Sequence, residues 1–378
     1  MTKRANGEGN VRKRTDGRWE ARFTYADAAT GEIRRGSAYG KTQAEVRAKM
    51  KEKQGRAEEG KPVNDSRQTL AAFTQGWIET TLRASDRKAT TKATYGILAR
   101  KHIQNAPIGA IALDKLRAKD VEAMVLLMQE AGLASSTVRQ TYTVLRAILD
   151  AAVRDHYVAR NVAALVKRPA VERVEARSLE SKEVKAVLAG AEGSRYSTLL
   201  SLLSRTGLRR GEALALRWQD VDLDGGELRV RGTLGRVGGE LIITEPKTDL
   251  SRRAVTISPS TVELLRKHRA AQAAERLRAG ELWADRGLVF ATETGGPVDP
   301  RNALRALTTA AKKAGVESIG LHTLRHSAAS TMLSAGVPLT DVSRMLGHSS
   351  VAITGDIYGH VSTDGQKRAA ELLAAALD

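Results

Sequence analysis

Residues 321–361 read LHTLRHSAASTMLSAGVPLTDVSRMLGHSSVAITGDIYGHV, and the interpretation of the whole chain turns on them. They hold His322, Arg325, His326, His348, Tyr358 and His360, so four of the seven histidines of the chain surround one tyrosine. Residues 322–335 and 339–346 carry helical apolar spacing and are separated by Gly336 and Pro338. Residues 349–354 read as partly irregular, and Gly355 and Gly359 flank Tyr358 as a mobile loop would require. Three readings of the cluster stand at this point: half-buried packing, metal binding, or a site for an anion. His322 and His326, four apart on one helix face, have the spacing of two zinc ligands. No HExxH glutamate lies between them and the chain has no cysteine, which argues against a metal.

Working outward, composition narrows the partner. The 378 residues suffice for two or three domains of ordinary size. With 42% hydrophobic but only 4% aromatic residues, the cores must be built from Ala, Leu, Val and Ile, which favours helix packing. The net charge of +18 has three ordinary meanings: nucleic acid, an anionic membrane surface, or an acidic partner. The basic residues are spread along the whole length. No long apolar run and no signal-like N-terminal stretch is expected from the sequence, so nucleic acid leads and no membrane partner is expected. The absence of cysteine excludes disulfides, thiolate zinc and a cysteine nucleophile, and fits a cytoplasmic protein. No GxxxxGK[ST] loop is present, so no nucleotide cofactor is expected.

The chain in order reads as three parts. Residues 1–62 form a small basic unit. Residues 18–25 alternate Trp19, Ala21, Phe23 and Tyr25 against polar neighbours, the pattern of a half-buried strand. Residues 32–39 return as a second strand, 12–14 supply a short third, and a polar helix runs from Thr42 to about residue 59. Arg12, Arg14, Arg18, Arg22, Arg34 and Arg35 project from this sheet, which would suit a DNA groove or, equally, plain solvation. Residues 66–169 read as four helices, the last carrying Val138, Tyr142, Leu145, Ile148 and Leu149 on one stripe. Lys88, Lys92 and Arg139 lie off the apolar stripes and would reach phosphates. From residue 176 onward helices resume, interrupted by strands at 227–231, 241–244 and 252–257.

Arg209, Glu212 and Lys247 in this third part join the opening stretch in one chemical argument. Metal-free phosphoryl transfer needs two guanidiniums to clamp the non-bridging oxygens. It needs a nucleophile, here a phenol whose ordinary pKa is about 10. It also needs an acid for the leaving oxygen, all within a preorganised field. An arginine near a helix start is usually only a surface ion-pair partner, and a lone tyrosine is usually half-buried packing. Spacing alone therefore ends at a basic, largely helical DNA-binding protein.

The motifs TGLRRGE, EPKTDLSRR, HTLRH, LGHSS and ITGDIYGH, in that order, resemble the tyrosine recombinase or phage integrase family. The resemblance covers residues 176–361 by motif and the preceding helices by pattern. It implies a mainly α fold with small β-sheets (α+β) in three domains: an arm-type DNA-binding domain over 1–62, a core-binding helical domain over 66–169, and a catalytic domain over 176–378. It further implies that Arg209 and Arg325 bind the scissile phosphate. His322 and His348 would bond its oxygens or assist proton transfer, and Glu212 would orient the site. Lys247 would protonate the leaving 5′-oxygen, and Tyr358 would form a 3′-phosphotyrosine without metal or ATP. The implied partners are double-stranded DNA attachment sites and three further copies of the chain, with the helix at 366–377 exchanged between subunits. A host DNA-bending protein and an excision factor would assist in a bacterial cytoplasm, at the nucleoid. Resolution of chromosomes or plasmids, or a catalytically inactive DNA-binding role, are the alternatives.

Overall fold

Alternation at the N-terminus produces the sheet it predicts. The computed structural model describes residues 10–26, 33–58, 68–172, 177–245, 252–348 and 350–358, with Leu373, Ala374 and Leu377. Strands β1 (Asn10–Lys13), β2 (Trp19–Ala26) and β3 (Ile33–Gly40) form one antiparallel sheet in that order. Helix α1 (Gln43–Glu58) lies on it and seats Val46 and Met50 against Ala21, Phe23 and Ala38. Because side chains alternate, the register puts Arg12, Glu20 and Tyr39 in one row of the opposite face, with Arg22 and Arg35 beside them. Arg34 instead pairs across from Tyr25, on the face that carries Phe23.

The chain divides into two compact units, Met1–Arg173 and Val174–Asp378. Besides the sheet, the first unit holds a second, separate apolar cluster of helices. Helix α2 (Leu70–Trp77) is capped by Thr69, whose hydroxyl accepts from the Ala72 N–H, and runs on as a wider turn, Ile78–Leu82. Helix α3 (Ala89–Ala99) does the same through Arg100–Gln104. Helices α4 (Ala118–Glu130) and α5 (Ser135–Arg154) complete the cluster. The α5 stripe read from the sequence is its centre: Val138, Tyr142, Leu145, Ile148 and Leu149 are buried. The Tyr142 hydroxyl donates to the carbonyls of Ala163 at 2.7 Å and Val166 at 2.9 Å, so the buried polar tip ties down the chain that follows α5.

The second unit is built around α7. Helix α6 (Ser181–Gly190) precedes α7 (Ser197–Thr206), in which Leu199, Leu200, Leu202 and Leu203 are all buried. A helix apolar over so much of its circumference must be surrounded. Packed into the same core are α8 (Arg210–Ala215), the strands that follow, α9 (Pro259–Ala279), α10 (Pro300–Lys313) and α11 (Leu321–Ser334). Strands β4 (Val221–Asp222), β5 (Glu227–Val230) and β8 (Arg253–Thr256) form one antiparallel sheet; β6 (Thr233–Val237) and β7 (Glu240–Thr244) form a separate hairpin between β5 and β8. The sequence reading omitted β6, whose Gly235 and short length weaken the strand signal. Helix α12 (Leu339–Leu346) packs Val342 and Leu346 on Ala329 of α11.

Helix α13 (Val351–Tyr358) corrects the expectation of partly irregular chain over 349–354 for residues 351–354; residue 349 lies outside the described residues. The β-branched Val351, Ile353 and Thr354 weaken a propensity-based helix assignment. Ser350 overrides this at the start, because its hydroxyl accepts from the Ala352 N–H at 3.2 Å and supplies a cap.

Candidate active site

The site is organised by the C-terminal end of α12. A helix end leaves four carbonyls without intrahelical partners. Here all of them are satisfied. The His348 N–H donates to the Ser343 carbonyl and the Gly347 N–H to that of Arg344, the paired bonds of a Schellman turn. Gly347 takes φ +67° in that turn. The next three carbonyls each receive a different arginine. Arg253 Nε donates to Met345 at 2.8 Å, Arg325 to Leu346 at 2.9 Å, and Arg209 to Gly347 at 2.9 Å. The negative end of the helix dipole thus gathers three cations from β8, α11 and the start of α8. His348 follows directly after them.

The cations are held from behind as well. Glu212 lies in the first turn of α8 and is buried. It accepts the Arg209 backbone N–H at 2.9 Å, half of a capping box, and the Arg209 side chain at 2.7 Å. Its carboxylate also pairs with Arg253 at 2.9 Å, both side chains being 6% exposed. Burial pushes the Glu212 carboxyl upward, but Arg253 and Arg209 outweigh it and hold it below the usual carboxylate range. Arg325, itself buried, also donates to the Gly207 carbonyl at 2.7 Å, at the left-handed C-terminus of α7. Arg209 and Arg325 are therefore oriented by the backbone itself, a preorganisation that suits an incoming anion.

The histidines feel these cations. Burial lowers His348 from 6.5 to about 4, with Arg325, Arg209 and Arg253 adding to the effect. His322 is lowered by burial and by Arg210, Arg325 and Arg209, and His326 by burial, His322 and Arg325. All three rings are thus biased to the neutral form. Nδ1 of His348 lies 2.8 Å from the Thr354 hydroxyl, which α13 carries into a fully buried position.

Of the residues expected from the sequence, Arg209, Glu212, His322, Arg325 and His348 are brought together. Tyr358 closes α13, and its side chain lies outside what the structure describes. Lys247 and His360 lie outside the described residues. Arg253 and Thr354 were not singled out from the sequence. A signal for Arg253 existed: in β8 it alternates with Ala254 and shares a face with the buried Val255, and a charge on an inward face demands a partner. A cleft of about 430 Å³ opens beside it, lined also by Arg229, Arg231, Glu245 and Arg252.

The candidate DNA-contact residues lie in the first unit. Glu20 is buried between Arg12 at 2.7 Å and Arg22 at 3.0 Å, and the Arg12 bond holds its carboxyl below the usual range. The Arg14 guanidinium lies over the Tyr39 ring at 5.6 Å. Arg18 follows the β1–β2 turn, where its N–H donates to Asp16 at 3.1 Å. Lys88 precedes α3, Lys92 donates to the Arg83 carbonyl at 2.8 Å, and Arg139 donates to that of Pro169 at 2.8 Å.

Comparison with known proteins adds independent findings. The phage integrase family model matches residues 177–364. A protein named tyrosine recombinase XerC-like, from Caldanaerobacter subterraneus subsp. tengcongensis, is 30% identical over 364 residues, covering 91% of this chain and 92% of its own length. An integrase of Streptomyces ambofaciens is 31% identical over 375 residues, covering 94% of this chain and 93% of its own. Among solved structures, the Tn1549 transposon integrase in complex with transposon right end DNA matches with a TM-score of 0.67 at 20% identity, over 81% of this chain and 99% of that one. A lambda integrase dimer bound to a COC′ core site gives a TM-score of 0.59 at 17% identity, over 94% and 96% of the two chains.

Proposed function

Because this chain belongs to the phage integrase family and is a tyrosine-type site-specific recombinase, we propose that Tyr358 is its nucleophile and that Arg209 and Arg325 clamp the phosphate it attacks. The observation that carries the assignment is the end of α12, where both guanidiniums are fixed on adjacent carbonyls beside His348.

The reaction follows from the groups present. The tyrosine oxygen attacks phosphorus in line, forming a 3′-phosphotyrosine bond and breaking the bond to the 5′-oxygen. The two arginines offset the charge that rises on the non-bridging oxygens. His322 and His348 bond those oxygens or assist departure of the tyrosine proton, and Lys247 protonates the leaving 5′-oxygen. Glu212 and the clamped helix end keep the guanidiniums in place. A 5′-hydroxyl from a partner strand then attacks the phosphotyrosine and reverses the step, so the bond energy is conserved and no nucleotide is consumed.

We assign residues 1–62 to an arm-type DNA-binding domain, 66–169 to a core-binding domain and 176–378 to the catalytic domain. The separate apolar clusters of the sheet and the helices support the first division. The substrate is double-stranded DNA at attachment sites of a phage or mobile element, consistent with the charge of +18. The Tn1549 enzyme was solved on transposon DNA, and a lambda integrase tetramer was solved on a Holliday junction. The tetramer precedent supports a homotetramer here; the exchange of residues 366–377 between subunits, a host bending protein and an excision factor are further parts of the proposal. Leu373 and Leu377, exposed in the single chain, would be covered by that exchange. No helix among the described residues is long and apolar enough to cross a membrane; the DNA substrate places the proposed reaction at the nucleoid of a bacterial cytoplasm.

The test is a nicked suicide substrate, which traps the covalent adduct. The wild-type chain should form a protein–DNA adduct and Tyr358→Phe should form none. An adduct from the variant at the wild-type rate would remove Tyr358 from the mechanism.

A further inference from the structure

We infer that Thr354 is a positioning residue of strand cleavage: its hydroxyl donates to Nδ1 of His348 and keeps the ring proton on Nε2, as a donor for a phosphate oxygen. The inference rests on the reading of His348 as a phosphate ligand. Thr354 is fully buried, and its Oγ1 lies 2.8 Å from Nδ1. A hydroxyl carries one hydrogen to give, and a buried one needs an acceptor for it. A helical threonine can donate to the carbonyl four residues earlier. No bond from Thr354 to Ser350 is present among the described residues; the ring nitrogen is the partner found for this hydroxyl. Were the proton on Nδ1, the ring would be the donor and the hydroxyl hydrogen would be stranded in a site without solvent.

The tautomer matters because the ring is neutral. Burial and the neighbouring arginines lower its pKa to about 4, so it has a single N–H to place. Phosphate oxygens accept and do not donate. With the proton on Nε2 the ring gives them a bond, whereas with the proton on Nδ1 it would offer a lone pair to a lone pair. Thr354 also lies one helical turn before Tyr358 in α13. Seating the helix that ends in the nucleophile and fixing the tautomer of the histidine are therefore the same event.

The experiment uses the full chain with Thr354→Val, which removes the hydroxyl and keeps the shape, and Thr354→Ser, which keeps the hydroxyl. Single-turnover adduct formation on the suicide substrate, DNA affinity and the ¹⁵N shifts of the His348 ring are read separately. Thr354→Val should cleave about 10–100-fold more slowly, the scale of loss when a metal-bound histidine is deprived of the partner that orients it, without loss of DNA affinity. Thr354→Ser should restore cleavage. The wild-type ring should show a protonated Nε2 and a bare Nδ1, and Thr354→Val should show a mixture of tautomers. Wild-type cleavage by Thr354→Val, or a proton on Nδ1 in the wild-type chain, overturns the inference. The wild-type spectrum decides even if the valine variant does not fold. If Tyr358→Phe still forms adduct, the reading of the site falls instead, which is a different result from a wild-type adduct that ignores Thr354.

Discussion

Arg253 shows how much of the site depends on a residue with no direct part in the chemistry. Its guanidinium satisfies the Met345 carbonyl and shares Glu212 with Arg209. Arg253→Ala leaves a buried carboxylate short of a partner and a helix carbonyl uncapped. Breaking a buried pair in this way costs about 3–5 kcal/mol, so the denaturant midpoint should fall strongly, and adduct formation should fall with it. A loss under about 1 kcal/mol, the size of an exposed ion pair, would mean that the pair is solvated in reality. The titration of His348 gives a second prediction. The unfolded ring takes up its proton near 6.5, but the folded ring waits until about 4. Between those values the unfolded state binds more protons, so stability is full above 6.5 and declines as the pH falls towards 4. His322 and His326 act in the same direction. Thermal midpoints measured through that window should fall on acidification, and less steeply in His348→Gln. A midpoint that rises would show that the ring is charged in the fold. Arg209, Glu212, His322, Arg325 and His348, which the structure brings together, could be singled out in the sequence because the order and spacing of their motifs resemble a family's. Arg253 and Thr354 were less so: the alternation of β8 says that Arg253 needs a buried partner but not which one, and nothing local says that a threonine of α13 faces the same turn.

At the scale of elements, the site is a solution to the problem of ending a helix. The carbonyls at the end of α12 need donors, and the three arginines supply them; on the proposed reading two of these fixed cations, Arg209 and Arg325, also meet the phosphate. Gly347 makes this possible. Its φ of +67° is a conformation that side chains resist, and a Cβ there would lie 2.7 Å from a terminal nitrogen of Arg253. Gly347→Ala should therefore cost about 1–3 kcal/mol in backbone strain and push the arginine off its carbonyl. Calorimetry and the adduct assay should both register it, and a variant with wild-type stability and rate would show that the turn is not what fixes the clamp. The same scale explains where sequence reading succeeded. Helix α7 and the apolar face of α5 were visible because their leucines and valines repeat at helical spacing over several turns. Strand β6 and helix α13 were missed because each is short and locally ambiguous: the first carries a glycine, the second several β-branched residues under the control of a single serine cap.

For the whole molecule, the charge of +18 announces the class of partner, but it does not say which part of the chain meets which DNA. The ordering of the motifs says more: it places two arginines, from α11 and from before α8, at a common turn that no composition or periodicity could have located. The N-terminal sheet is a separate question, since its basic face draws on Arg12, Arg22 and Arg35 while Arg34 belongs to the other side. Its apolar cluster is its own, as is that of the helices after it, so removing residues 1–62 should leave the remaining thermal transition intact. The shortened chain should still form adduct on a core-site suicide substrate. What it should lose is affinity for a second, arm-type duplex, and with it part of the salt dependence. Each phosphate contact given up lowers the slope of log affinity against log salt by about 0.9. The three arginines of the outer face therefore predict a slope shallower by about 2 to 3 in the truncated chain. An unchanged slope and unchanged arm-duplex affinity would mean that the sheet's arginines serve only to solvate it and that DNA is held by the helical and catalytic parts alone.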